Sequence, residues 1–262
     1  MVGIYQQLLD NVYNGVSPYN SSSLAHKDDG YPHTNMIPFL ASTLFSHIHP
    51  TYIVECGTML GGSAIIMAKT LAQAGQNDID IVCIDPFTGD VNMWDWEHAC
   101  AVQNKWRFLA LENGVPTIYR RFLANVLVNE LQHRIIPINC TTTVGIKLLK
   151  RLLCQGRISE LPNYIYLDSA HEPDETLLEL RACWGTLSCG TGPGVLFGDD
   201  WSWEAVRTDV VTHARQVCNE IDRIMLQRIH ASLPGSSVYE GAVLLYKGQW
   251  VLVKMGFDAS PS

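Results

Sequence analysis

No Cys-x-x-Cys pair occurs in this 262-residue chain, although it carries eight cysteines, at 56, 83, 100, 140, 154, 183, 189 and 218. That scatter argues against a zinc framework. Cys56 and Cys83 lie in apolar, strand-like runs, so buried reduced thiols are expected rather than disulfides. Positive charge is also short: 18 Lys and Arg face 26 Asp and Glu, a formal charge of −8. A protein that tracks phosphates needs a basic face, so nucleic acid is not an expected partner. No apolar run approaches the length of a membrane span, and no membrane association is expected. Met1-Val-Gly-Ile-Tyr-Gln-Gln lacks the basic start and apolar core of a signal peptide, which makes a cytoplasmic location the default. Repeats and low-complexity stretches are missing too. With 47% hydrophobic and 17% charged residues, the composition is that of a globular enzyme. The length suits one α/β domain with insertions.

Residues 1–35 are polar and turn-rich, with Tyr5, Tyr13, Tyr19 and Tyr31 interspersed, and read as an arm or a lid. A helix over about 35–47 follows, so 1–48 is set apart from a main domain over 49–262. Thr51–Glu55 is the first strand and runs into Cys56-Gly57-Thr58-Met59-Leu60-Gly61-Gly62-Ser63 and a helix. A strand, a glycine turn and a helix N-terminus suit a nucleotide-like ligand, because backbone can approach closely and N–H groups are free. The spacing fits neither Gly-x-Gly-x-x-Gly nor a P-loop, which disfavours dinucleotides and nucleoside triphosphates.

The second strand, Ile79–Ile84, ends in Asp85, placed to bond a ribose diol or simply to make an Asp-Pro turn. Residues 90–125 exceed what a crossover needs and are rich in aromatics, so they either wall a substrate pocket or pack as ordinary helix. The third strand, Arg134–Ile138, leads to Thr141, Thr142 and Thr143, which could cap the next helix, contact a ligand, or both. Tyr164–Asp168 is strand four, Pro173–Trp184 a crossover helix, and Gly194–Gly198 strand five. A helix over 203–218 follows, then an antiparallel hairpin over 242–255. Ile224–Ile229 fits helix or strand equally. The alternation predicts a doubly wound, mostly parallel α/β sheet with a C-terminal antiparallel hairpin.

Strands four and five both end in acid, at Asp168 and at Asp199-Asp200, with His171 nearby. In a parallel sheet these side chains emerge at one carboxyl edge, where ligands of open α/β sheets sit. Each acid taken alone could equally cap a helix or sit in a solvated turn. Together they suggest a hard-cation site. Trp201 and Trp203 are expected in the core rather than as a substrate platform.

Glu55-x-Gly57-x-x-x-Gly61-Gly62-Ser63, with Asp85 and Asp168 at later strand ends, resembles class I S-adenosylmethionine-dependent methyltransferases. Ile84–Gly89, Phe122–Val126, Leu167–His171 and Gly198–Trp201 look more narrowly like the macrocin-type sugar O-methyltransferases, some of whose relatives are labelled cephalosporin hydroxylases. The resemblance covers about residues 50–215. It implies cofactor contacts from Glu55, Gly57, Thr58, Gly61, Ser63, Asp85, Thr141, Thr142 and Asp168. It also implies a magnesium-like divalent ion held by Asp168, Asp199 and Asp200, with His171 where some members place a base. The function it implies is metal-dependent methyl transfer from S-adenosylmethionine to a hydroxyl of a small molecule, a sugar or polyol-bearing natural product. A non-catalytic S-adenosylmethionine-binding or partner subunit is the competing class. An oxygenase is weaker, since Asp168, His171, Asp199 and Asp200 lack the second histidine of a facial iron triad. A homo-oligomer is left open.

Overall fold

A computed structural model of the chain describes residues 3–19, 36–95, 105–188, 190 and 192–256. Its centre is an eight-stranded sheet in the order β3-β2-β1-β4-β5-β8-β7-β6. The strands are β1 (Ile53–Cys56), β2 (Ile81–Asp85), β3 (Ile135–Asn139), β4 (Tyr164–Leu167), β5 (Gly194–Gly198), β6 (Ser237–Tyr239), β7 (Val243–Tyr246) and β8 (Gln249–Lys254). The first five are mutually parallel; β8 runs antiparallel to β5, and β7 and β6 continue the antiparallel edge. β1, β2, β4 and β5 are buried at every residue. Their unbroken apolar runs follow from helices covering both faces, as parallel sheets require.

The helices are α1 (Ile4–Val12), α2 (Pro38–His47), α3 (Gly62–Gln73), α4 (Val91–Trp94), α5 (Ile118–Val128), α6 (Thr142–Cys154), α7 (Glu175–Trp184), α8 (Glu204–Gln216) and α9 (Arg223–Ala231). A 3-10 turn spans Lys105–Phe108. The ambiguous 224–229 stretch is thus helical. Asp222 caps it, accepting the Met225 N–H at 2.9 Å. The strand order reverses at β1, which lies between β2 and β4, and this opens a crevice at the carboxyl ends of β1 and β4.

The helix before residue 48 packs on the sheet that follows it. Pro38 opens α2 at its first turn, and the Tyr164 hydroxyl of β4 lies 2.8 and 2.7 Å from the Leu44 and Ile48 carbonyls. Leu40, Ala41 and Leu44 share the main core. Residues 3–19 pack there as well. Ile4 and Leu8 of α1 are buried in that core, and the Tyr5 N–H donates to the Asp80 carboxylate at 2.8 Å. Tyr13 and Tyr19 donate to the Pro137 and Ile135 carbonyls at 2.6 and 2.7 Å. These carbonyls belong to the edge strand β3, so the segment covers groups that an edge otherwise offers to a foreign strand. The lid expectation for 20–35, Tyr31 included, lies outside the described residues.

Of the cysteines, Cys56, Cys83 and Cys183 are buried and, like Cys140, Cys154 and Cys218, free. Cys100 and Cys189 lie outside the described residues. Among the described residues no helix is long and apolar enough to cross a membrane.

Candidate active site

The crevice deepens into a cavity of about 420 Å³, within the small-molecule range. Its floor is the turn between β1 and α3. Gly57 donates to the Ile84 carbonyl, and Asp168 donates to the Cys56 carbonyl, each at 2.9 Å, so the turn and the end of β4 are locked in register. Gly57 has φ +83°, and a Cβ there would lie 2.0 Å from the Asp168 carbonyl oxygen. Glycine is required on both counts. Met59 and Phe87 also sit at positive φ, 46° and 54°, a costly conformation for bulky side chains. Asp85 fixes both: its carboxylate accepts the N–H groups of Met59 and Phe87. Burial pushes the Asp85 carboxyl up, against the pull of those backbone donors.

Nine of the twelve residues expected in the site line the cavity: Gly57, Thr58, Ser63, Asp85, Thr141, Thr142, Asp168, His171 and Asp200. Three do not. Glu55 is fully buried beneath the turn, where it accepts a short hydrogen bond from Ser63. Burial holds its carboxyl up at about 8 despite that bond. It braces β1 against α3 from beneath the cavity floor. Gly61 is the left-handed N-cap residue of α3 and lies against the Phe122 ring, 3.0 Å from where a Cβ would stand. Asp199 is buried at the end of β5 off the cavity wall, with Oδ1 4.0 Å from where a Cβ on Gly248 would stand and its carbonyl accepting the Trp250 Nε1–H at 2.9 Å. Of the two neighbours, Asp200 lines the cavity and stands at φ +59°.

Asp168, His171 and Asp200 do converge. One ligand atom from each lies within 4.8 Å of the others. His171 Nε2 is 2.8 Å from Asp200 Oδ2 and 4.0 Å from Asp168 Oδ1. Burial, then repulsion from Asp200 and Asp199, raises the Asp168 carboxyl to about 7, with His171 offsetting part of it. Burial opposes charge on His171, but bonds to Asp200 and Asp90 outweigh it and raise the imidazole to about 10. Close carboxylates around a shared centre are a chemical fit for a divalent cation, and the imidazole now supplies their positive neighbour.

Two further site residues carry no clear sequence signal. Asp90 accepts from His171 Nδ1 at 3.0 Å across 81 positions. Glu179 accepts from Ser169 Oγ at 2.6 Å, and Ser169 in turn accepts from Thr142 Oγ1 at 3.2 Å. Thr142 thus belongs to a buried relay, and the Thr141 side chain, at the N-cap of α6, makes no cap bond. Trp201 and Trp203 are partly buried against the core, and Trp203 also lines the cavity with its ring 5.0 Å from His171 at 31°. Segment 90–125 splits between its two readings. Asp90, Val91, Asn92, Met93, Phe108 and Ile118 wall the cavity, whereas Tyr119 and Phe122 pack on Phe87 at 4.9 and 5.3 Å. Trp96 lies outside the described residues.

The sequence matches no family model and no curated relative. Among solved structures, the chain is similar to a “putative O-methyltransferase” of Klebsiella pneumoniae, at 13% identity and TM-score 0.49 over 97% of each chain. It is also similar to the Bacillus cereus O-methyltransferase in complex with SAH, at 13% identity and TM-score 0.44 over 95% of this chain and 98% of that one. TomG, the Streptomyces achromogenes O-methyltransferase of tomaymycin synthesis, aligns at 14% identity and TM-score 0.44 over 98% and 99%.

Proposed function

We propose that this chain is a metal-dependent O-methyltransferase that moves a methyl group from S-adenosylmethionine to a hydroxyl of a small polyol-bearing molecule. The observation that carries the reading is the junction at Gly57. The glycine turn and the Asp168–His171–Asp200 cluster share one cavity wall and touch through the missing Cβ. A methyl donor seated on the turn therefore has the acid cluster beside it.

S-Adenosylmethionine supplies a sulfonium methyl open to in-line displacement, so the protein's task is alignment and an oxygen nucleophile. Gly57, Thr58 and Ser63 receive its amino-acid part, Asp85 the ribose, and Thr141 with Thr142 the purine end at the α6 N-terminus. A divalent ion bound here, magnesium being the expected one, would supply Lewis-acid stabilisation of the alkoxide form of a poor nucleophile. Asp168 and Asp200 would hold that ion, with Asp199 outside the cavity wall and not among its ligands. His171 takes the hydroxyl proton once its own Nε2 hydrogen has left, and Trp203, Phe108 and Ile118 exclude water around it.

The test is calorimetric titration with S-adenosylmethionine and then with magnesium chloride. Binding of both, the second lost in Asp200→Asn, is the expected result. No S-adenosylmethionine binding defeats the reading; binding without any methyl transfer to a polyol panel marks the non-catalytic class instead.

A further inference from the structure

We infer that Asp90 is a positioning residue for His171, fixing the imidazole so that Nδ1 is anchored and Nε2 alone faces the reacting centre. This rests on the proposed methyl transfer for its purpose, but not for its evidence. A carboxylate is an acceptor only, so the 3.0 Å contact between His171 Nδ1 and Asp90 Oδ2 places a hydrogen on Nδ1. Nε2 is the nitrogen on the side of Asp168 and Asp200, and by the same rule its 2.8 Å contact with Asp200 Oδ2 places a second hydrogen there, so the ring rests as an imidazolium between two carboxylates. Holding one ring nitrogen of a functional histidine with a carboxylate is the general way a protein sets its tautomer and orientation.

Asp90 is itself held. It is the N-cap of α4, and its Oδ1 accepts the Asn92 N–H at 2.7 Å and the Asn92 side-chain amide at 2.6 Å. One oxygen is thus committed to the loop after β2, and the other to the histidine after β4. Trp203 closes a third side of the ring. The imidazole is therefore constrained by three loops, those after β2, β4 and β5, and Asp90 is the constraint from the first.

In the step this serves, the acceptor oxygen's lone pair forms the new O–CH₃ bond as the methyl–sulfur bond breaks. The released pair stays on sulfur as an uncharged thioether, and the hydroxyl proton passes to Nε2. The ring accepts it after its own Nε2 hydrogen has left to solvent, and Asp90 keeps the Nδ1 hydrogen in place while Nε2 gives up and regains its own.

Asp90→Asn separates this role from helix capping, because asparagine keeps an oxygen for the Asn92 N–H and loses the charge that holds Nδ1–H. The readout is the ¹H–¹⁵N spectrum of histidine-labelled protein without added ligands, with His171 assigned by its disappearance in His171→Gln. The wild type is expected to show a downfield, slowly exchanging Nδ1–H and cross-peaks between the His171 and Trp203 rings. In Asp90→Asn the Nδ1–H signal disappears by exchange and the ring contacts weaken, while the remaining amide spectrum is kept; Asp90→Glu restores the signal in part. An Nδ1–H resonance that persists unchanged in Asp90→Asn overturns the inference, whether or not methyl transfer is found. Failure to bind S-adenosylmethionine would instead defeat the proposed function and leave this result standing.

Discussion

Gly57 and Asp168 meet where β1 and β4 end, and the only thing that lets them meet is the absence of a side chain at 57. The Cβ of any other residue would stand 2.0 Å from the Asp168 carbonyl oxygen and 2.6 Å from the Ser169 Cα. Gly57→Ala is therefore expected to displace the acid cluster along with the turn, so that S-adenosylmethionine and magnesium binding fall together, each at least tenfold. Gly75→Ala is the control. It has a similar φ, +76°, but open space around it, so it bears only the left-handed penalty of about 1–2 kcal/mol. Thermal unfolding and calorimetry on the two variants separate backbone cost from collision. Equal behaviour would mean that the contact at 57 is unimportant.

The last strand reaches the same site from behind. Trp250 of β8 is fully buried, and its Nε1–H is donated to the Asp199 carbonyl at 2.9 Å. Trp250→Phe keeps most of the apolar volume and leaves that carbonyl without its tryptophan donor. A loss of about 1–3 kcal/mol is expected from the missing bond, read from the shift in urea midpoint at unchanged slope. Magnesium affinity should weaken as well, because the Asp199–Asp200 backbone loses its anchor.

Which parts of this molecule were legible in sequence follows from the range of the interactions concerned. β1 to β5 were visible because a strand buried on both faces is an apolar run whatever lies beside it. α1 was not. Its apolar face is Ile4 and Leu8 among Gln6, Gln7, Asp10 and Asn11, and its helix makes sense only against β3. The three-residue strand β6 is likewise defined by its partner β7 rather than by composition. In the site, Gly57 and Asp85 were readable from local turn chemistry. Asp90 was not, since its partner is 81 positions away. The acid pair shows a further limit. Asp199-Asp200 names two candidate ligands, but which carboxylate reaches the cluster depends on the backbone of the turn after β5, which composition does not reveal.

That difference makes the two acids separable by experiment. Asp200→Asn removes a charge whose oxygen lies within 4.8 Å of both other potential ligand atoms, and magnesium affinity should fall by more than about tenfold, in the range for loss of a charge-assisted contact. Asp199→Asn alters a buried acid off the cavity wall, and a smaller loss in affinity is expected. Calorimetric titration of magnesium into each variant decides it. An equal loss in both would return Asp199 to the ligand set read from the sequence.

A histidine remote from the site is expected to contribute to acid sensitivity. His213 of α8 is 1% exposed, its ring edge-on to Trp184 at 5.5 Å and 79°. Burial first, and Arg181 second, depress its imidazole to about 4, with Glu220 opposing. Neither ring nitrogen has a hydrogen-bond partner among the described residues, so the neutral ring is what the core tolerates. Unfolded, the same group titrates near 6.5. Between those values the unfolded chain binds a proton that the folded one excludes, so stability rises with pH across the window. The His213 contribution is fully present above about pH 6.5 and is lost as pH falls toward 4, with a ceiling of roughly 3 kcal/mol. His213→Leu, apolar and of similar size, should shed this part of the acid limb. Urea unfolding at about pH 7.5 and about pH 4.5 measures it: the wild type should lose more stability between the two than the variant does. The same loss in both proteins would assign the acid limb to the buried carboxylates instead.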